Sequence, residues 1–108
     1  MREFKCPYIG AAVELSDERE RHIRERHPDL LPEYSDRIAG TLLAPDAVRR
    51  SSRSAGARLF SRWYNDIKDG KHVVVVVLTG QGVGNRHWVV TAYLARRLAE
   101  GETEWKKD

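Results

Sequence analysis

Five consecutive valines and a leucine, residues 73–78, constrain the fold more than any other stretch of this chain. A run that is short, apolar and β-branched is typical of a strand buried on both faces. A helix is disfavoured, because β-branched side chains lose χ1 freedom against the preceding turn. Asp69 and Gly70 mark a turn before the run, and a glycine-rich loop over 80–84 follows it. The run therefore predicts a central strand beside which the other elements must pair or pack.

Length and composition predict one soluble domain. The chain has 108 residues, of which 41% are hydrophobic and 32% charged, and this is the range of globular domains with one core. No apolar run approaches the roughly 18 residues of a membrane span, and residues 1–10 do not resemble a signal peptide. The single Cys6 permits no internal disulfide. We expect a cytoplasmic domain over 1–108 with no membrane partner.

The first half of the chain has the periodicity of helices. Residues 11–15 are expected to form a short edge strand or an extended lead-in. Ser16 is a good N-cap for a helix that runs to Arg26, and Pro28 ends this helix because it disfavours helical geometry at His27. A second helix is expected over 34–43, with Ile38 on its apolar face.

After Pro45 the period switches to two, which is typical of strands. Strands are predicted over 47–53, 57–64, 73–78 with Thr79, and 86–94. Residues 95–100 are expected to turn helical, and residues 101–108 to form a tail anchored by Trp105. The predicted fold is α+β, with two N-terminal helices packed on one face of a four- to five-stranded antiparallel sheet.

Alternation along two of these strands predicts which side chains share a surface. In the strand over 57–64, one face carries Arg58, Phe60, Arg62 and Tyr64, and the opposite face carries Leu59, Ser61 and Trp63. In the strand over 86–94, Thr91 shares a face with His87, Val89 and Tyr93. We expect the apolar set of each strand to meet the helices. The mixed sets would then share one exposed surface: Arg58, Arg62, Tyr64, His87, Thr91 and Tyr93.

Arginines cluster in the second half of the chain, although the formal net charge is only +3. The cluster comprises Arg49, Arg50, Arg53, Arg58, Arg62, Arg86, Arg96 and Arg97. The guanidinium fork matches a phosphate group bidentately, whereas a lysine offers a point charge. The cluster indicates either ordinary solvated strand surface or a phosphate-binding face, such as one for nucleic acid.

Several catalytic arrangements fit this sequence poorly. His22 and His27 are five residues apart and diverge on a helix, so neither a metal site nor a cofactor is predicted. The glycines of 80–84 lead into a strand instead of a helix, which favours a hairpin turn over a nucleotide loop. Cys6 and the serines at 51, 52 and 54 lack the surroundings of an activated nucleophile.

Arginine, histidine, threonine and tyrosine together suit metal-independent RNA cleavage. The 2′-hydroxyl of the RNA attacks its own phosphodiester, so the protein needs only to move protons and to stabilise charge on the phosphate. An aromatic side chain such as Trp63 or Tyr64 could stack a base. Each residue also has an ordinary role, since aromatic and threonine side chains commonly pack in strands.

Four segments of the chain together resemble a known ribonuclease superfamily. They are residues 27–29 (HPD), 42–48 (LLAPDAV), 58–64 (RLFSRWY) and 89–94 (VVTAYL). The combination is similar to small stand-alone members of the barnase–EndoU–colicin–RelE superfamily, which are metal-independent ribonucleases of toxins and phages. The resemblance covers about residues 13–97. It implies RNA as substrate, no cofactor, and a cognate antitoxin or immunity protein as a further partner.

Carried over position by position, the resemblance implies catalytic roles for His27, Arg62, Thr91 and Tyr93. Taken with the arginine cluster and the shared faces, it implies substrate binding by Arg49, Arg58, Tyr64, His87 and Arg96. The spacing of His27 from Ile23 and Leu30 is equally consistent with a core histidine, in which case His22 competes for the proton-transfer role. The alternative function is a non-catalytic RNA-binding module, or a phage or mobile-element interaction module, with the same fold.

Overall fold

The structure is a computed structural model, and it describes residues 1–80, 85–99 and 101–108. Within these ranges the chain forms two helices and seven strands in one sheet. In chain order the elements are β1 (Arg2–Cys6), β2 (Ala11–Leu15), α1 (Asp17–Arg26), α2 (Ser35–Leu43), β3 (Ala47–Arg50), β4 (Ala57–Tyr64), β5 (Lys71–Thr79), β6 (His87–Ala95) and β7 (Glu102–Lys106). The strand order is β1-β2-β6-β5-β4-β3-β7, so β5 is central, as the valine run predicts.

The prediction of a four- to five-stranded antiparallel sheet is wrong, because the described sheet has seven strands and is mixed. β2 runs parallel to β6 at the pair Glu14–Trp88. β1 forms an antiparallel hairpin with β2, and β7 pairs antiparallel with β3 where a tail was expected. Both edge strands are largely exposed and polar, so they lack the strong apolar alternation by which sequence identifies a strand.

The two helices form close to where the sequence predicts them. The hydroxyl of Ser16 accepts a hydrogen bond from the Arg19 backbone N–H at 3.1 Å and caps α1. α2 begins at Ser35, one residue later than expected. Residues 96–99 are not helical, which corrects the expectation for 95–100. Residues 81–84, where a hairpin turn is predicted, and Glu100 lie outside the described residues. No helix in the described ranges is both long and apolar enough to cross a membrane.

The core lies between the helices and one face of the sheet. Its largest fully buried side chain is Phe60 of β4, which belongs to the same cluster as the buried Ile23 of α1 and Ile38 of α2. The segment after β1 also folds over this side, because the Tyr8 ring lies edge-on to Phe60 with centroids 5.9 Å apart. Alternate residues of the central strand complete the cluster: Val73, Val75 and Val77.

The other face of the sheet, which we call the open face, has neither of the two described helices packed on it. Directly paired residues in neighbouring strands project to the same side. The register pairs Leu59 with Val76 and Val76 with Thr91, so these three residues lie in one row. By the same rule the open face also carries Arg49, Ser61, Trp63, His72 and Tyr93.

A crossover connects β6 to β7 across this open face. β5, β4 and β3 separate the two strands in the sheet, so the chain must pass over them to reach the far edge. Nη1 of Arg49 donates to the carbonyl oxygen of Ala99, which fixes the crossover above β3. The crossover therefore divides the open face into two cavities, which are described below.

Candidate functional site

The structure separates the predicted site residues onto the two faces of the sheet. Arg58 and Arg62 pair with Val77 and Val73, which places them on the helix side together with Phe60. Thr91 and Tyr93 lie on the open face. The expectation of one common surface is therefore wrong. The reason is that burial of Phe60 decides the facing of β4, while the arginines at its flanks cover the rim of the core with their aliphatic stems.

Arg62 and Tyr64 pack against α2. Nη1 of Arg62 donates to the Gly40 carbonyl oxygen at 3.3 Å, and its guanidinium lies 5.1 Å from the centroid of the Tyr64 ring. The Tyr64 hydroxyl is 3.4 Å from the Arg37 carbonyl oxygen, to which it donates. A Cβ at position 40 would lie 2.8 Å from that hydroxyl, so the close approach requires glycine. These contacts anchor the sheet to the helix.

Arg58 belongs to an ion-pair cluster centred on Glu104. The Glu104 carboxylate accepts hydrogen bonds from the Tyr8 hydroxyl at 2.6 Å, from Nε of Arg58 at 2.9 Å and from Nε of Arg50 at 3.0 Å. The Tyr8 hydrogen bond first, and then the two arginines, lower the pKa of Glu104 from 4.5 to about 2. The cluster engages two arginines that the sequence pattern indicates for phosphate, and it offsets part of their positive charge.

Three predicted site residues converge on the open face. Arg49, Thr91 and Tyr93 line a cavity of about 510 Å³, which we call the Arg49 cavity. Arg49 is only 6% exposed, and no described residue accepts a hydrogen bond from its Nε. A buried guanidinium with an unmatched N–H is suited to bind an anion, because charge-assisted hydrogen bonds are strong in such surroundings.

His27 adjoins the Arg49 cavity through Tyr93. The two ring centroids are 5.9 Å apart and the ring planes are inclined by 38°. His27 is half-buried at the end of α1, where its backbone N–H donates to the Ile23 carbonyl oxygen at 2.7 Å. The structure therefore brings together His27, Thr91 and Tyr93, and the guanidinium beside them is that of Arg49 instead of Arg62.

The remaining predicted binding residues lie elsewhere. Nδ1 of His87 is hydrogen-bonded to the Thr79 hydroxyl at 2.9 Å. Arg96 is exposed and lines a second, larger cavity on the open face, of about 880 Å³. We call this the Trp63 cavity. Its charged walls are Lys68, Asp69, Lys71, Arg96 and Arg97.

The Trp63 cavity contains residues that the sequence pattern did not indicate. Lys68 and Asp69 have positive φ angles of 42° and 65°, and Gly70 follows at 105°. The Asp-Gly pair predicts a turn, but it does not predict that the turn packs against Trp63. The His72 ring lies beside the indole of Trp63 in an edge-on contact, with centroids 4.8 Å apart. Burial lowers the pKa of His72 and favours its neutral form, an effect that the Arg49 charge reinforces and that of Asp46 opposes.

Comparison with known proteins finds no match among family models, curated proteins or solved structures. Among the described residues, no three histidine, cysteine, aspartate or glutamate side chains come together as a metal site requires. The function is therefore inferred from the two cavities of the open face.

Proposed function

We propose that this protein binds RNA on its open face and cleaves it without a metal ion, the reaction that the resemblance to the barnase–EndoU–colicin–RelE superfamily implies. We further propose that the Arg49 cavity is the cleavage site. One observation carries the proposal. The buried guanidinium of Arg49 and the hydroxyl-bearing side chains of Thr91 and Tyr93 line one cavity, with the His27 ring against Tyr93.

The cleavage reaction needs only groups of this kind. The 2′-oxygen forms a bond to phosphorus while the bond from phosphorus to the 5′-oxygen breaks, which leaves a 2′,3′-cyclic phosphate and a 5′-hydroxyl. One protein group accepts the 2′-proton and another returns a proton to the leaving oxygen. Arg49 stabilises the charge on the non-bridging oxygens, and Thr91 orients one of them. Tyr93 and the adjacent His27 are the proton-transfer pair.

The first prediction concerns cleavage of single-stranded RNA in the presence of a chelator, with products identified by mass spectrometry. The protein is expected to release 2′,3′-cyclic phosphate ends. Tyr93→Phe removes only the hydroxyl and is expected to lower kcat/KM by about 10²–10⁴-fold, the usual contribution of proton transfer. Arg49→Lys is expected to be similarly impaired, because the bidentate fork is lost while the charge stays.

Arg62→Lys is the matched control, since it makes the same exchange on the helix side of the sheet. It is expected to retain most of the activity and to lower thermal stability slightly. Equal losses in Arg49→Lys and Arg62→Lys would contradict the assignment to the open face. Activity that the chelator abolishes, and that only a divalent ion restores, would contradict the metal-independent reaction.

A non-catalytic RNA-binding module is the second candidate, and the basic Trp63 cavity favours it. In that case the protein binds single-stranded RNA and releases it uncut. Binding with no cleaved product at any pH between 5 and 9 would favour the module over the enzyme.

A further inference from the structure

We infer that the Trp63 cavity is a base-stacking subsite for single-stranded RNA, in which one nucleobase lies on the Trp63 indole and the surrounding cations hold the flanking phosphates. The inference rests on the proposed function only in taking RNA as the ligand. It assigns a recognition role to residues that lie outside the Arg49 cavity.

The Trp63 side chain is partly exposed, yet it is held in place by His72 and by the turn at Gly70. The indole is 44% exposed. His72 contacts it edge-on, and a Cβ at Gly70 would lie 2.3 Å from its Cζ2 atom, so the turn packs closely against the ring. The Trp63 backbone N–H donates to Oδ2 of Asp46 at 2.7 Å. A ring that is oriented before binding loses little conformational freedom when a base stacks on it.

The cations of the Trp63 cavity are available for an anionic ligand. Its walls carry two lysines and two arginines against the single carboxylate of Asp69. Among the described residues, none of these four cations forms a salt bridge, whereas Arg37 pairs with Asp66 and Arg86 with Glu14. Nζ of Lys71 donates to the Lys68 carbonyl oxygen at 3.0 Å, which points its charge along the turn. Unpaired cations around an aromatic ring attract a phosphate backbone.

The exposed indole together with the surrounding cations favours single-stranded RNA over duplex RNA. In a duplex the bases are stacked on one another and cannot lie on a protein side chain. An exposed indole flanked by cations is the arrangement with which proteins hold unpaired nucleotides, since every base has a face to stack. A phosphate group alone would need the cations but not the indole.

The two cavities are too far apart for a very short RNA to occupy both. Trp63 lies four residues along β4 from Leu59, and Leu59 lies two strands across from Thr91 in the same row. Strand geometry then gives about 17 Å between Trp63 and Thr91. A dinucleotide in the Arg49 cavity would not reach Trp63, whereas a strand of several nucleotides would span both cavities.

The second prediction is tested by fluorescence anisotropy with a labelled 2′-O-methyl RNA of about ten nucleotides, which cannot be cleaved at its blocked 2′-oxygens. Trp63→Ala is expected to weaken binding by about 5- to 150-fold, the range found for loss of one stacked base. Trp63→Phe is expected to restore most of the affinity. Trp105→Ala is the matched control, because Trp105 is 39% exposed but lies on the helix side, where it pairs with Val48.

Cleavage assays separate this inference from the proposed function. If both hold, Trp63→Ala raises KM for the longer RNA and leaves kcat/KM for a dinucleotide unchanged. If the wild type cuts a dinucleotide but Trp63→Ala and Trp63→Phe bind the longer RNA as tightly as the wild type, the inference fails alone. If Trp63→Ala weakens binding and no RNA is cut, catalysis fails and the subsite stands. Equal competition by duplex RNA or by polyglutamate would overturn the subsite.

Discussion

At the scale of single residues, Glu104 makes the contacts that join the most distant parts of the chain. Its carboxylate binds Tyr8, which follows β1, as well as Arg50 of β3 and Arg58 of β4. Because these donors bind the ionised form, the pKa of Glu104 in the folded protein falls to about 2. The unfolded chain should titrate near the ordinary value, so this single residue makes the stability of the fold depend on pH.

The third prediction follows from the sign of that shift. Glu104 contributes its full stabilisation above its ordinary pKa of 4.5, and the contribution is lost as the pH falls through about 2. Glu104→Gln keeps the size of the side chain but loses the charge. We expect it to lower the free energy of unfolding by about 1–2 kcal/mol at pH 7 and by much less at pH 2.5. Urea unfolding at both pH values measures the difference.

Glu25→Gln serves as the control, since Glu25 is exposed on α1. It is expected to leave the unfolding free energy within ~0.5 kcal/mol of the wild type at both pH values. If the wild type and Glu104→Gln have parallel stability profiles between pH 5 and pH 2.5, the cluster does not act through the Glu104 charge.

The sequence predicts which residues belong to the candidate site better than it predicts the face of the sheet on which each of them lies. Thr91 and Tyr93 are two apart on a regular stretch of β6, so they share a face. Alternation in β4 gives two sets of residues but does not tell which set is buried. The set with more apolar area contains Trp63, yet Phe60 is the residue that the core encloses. The register shift between Val76 and Val77 pairs Val77 with Val89 and Val76 with Thr91. Val89 and Thr91 therefore face opposite sides although they are two apart, and no local pattern reveals this.

At the scale of elements, the helices and the central strands were predictable from local signals, and the edge strands were not. Caps, proline and a run of valines act over a few residues, so the sequence around α1 and β5 identifies both elements. β7 forms only because β3, about 50 residues earlier, offers it a free edge. Such pairing depends on the whole fold.

The turn between β4 and β5 provides the fourth prediction. Gly70 has a φ of 105° and leaves no room for a Cβ beside Trp63. Gly70→Ala therefore introduces backbone strain of about 1–3 kcal/mol and also displaces the indole. We expect this variant to melt at lower temperature and to bind single-stranded RNA as weakly as Trp63→Ala. Thermal unfolding and RNA anisotropy measure the two effects.

Gly10→Ala is the matched control for this turn. Gly10 has a comparable φ of 79°, but a Cβ there would meet no atom within 4 Å. We expect this variant to lose stability from backbone strain alone and to keep its RNA affinity. RNA binding that falls equally in both variants would mean that general destabilisation, and not the position of Trp63, controls affinity.

At the scale of the whole molecule, the Trp63 cavity concentrates positive charge on the open face. The net charge is only +3. On the helix side, Glu104 pairs with Arg50 and Arg58, and Asp66 pairs with Arg37. On the open face, the arginines and lysines of the Trp63 cavity have no such partners among the described residues. The Trp63 cavity is therefore a local basic patch despite the modest net charge, and such a patch is typical of nucleic-acid binding.

The fifth prediction is that cations of the open face cause the salt dependence of RNA affinity. Each cation that neutralises a phosphate of a single strand contributes a slope of about −0.7 when log affinity is plotted against log salt concentration. Arg96→Gln and Arg97→Gln together are expected to make the slope less steep by about 1.4, since both side chains are exposed and line the Trp63 cavity. Anisotropy titrations across a range of salt concentrations give the slope directly.

Arg24→Gln distinguishes a local effect from the overall charge, because Arg24 is exposed on α1 beside Glu20. Removing its charge lowers the net charge by one, as each of the other substitutions does, but removes no cation from the open face. The slope is expected to stay that of the wild type if phosphates contact only the open face. If Arg24→Gln changed the slope as much as Arg96→Gln, the salt dependence would reflect the net charge of the protein alone. Neither cavity would then be the site at which RNA binds.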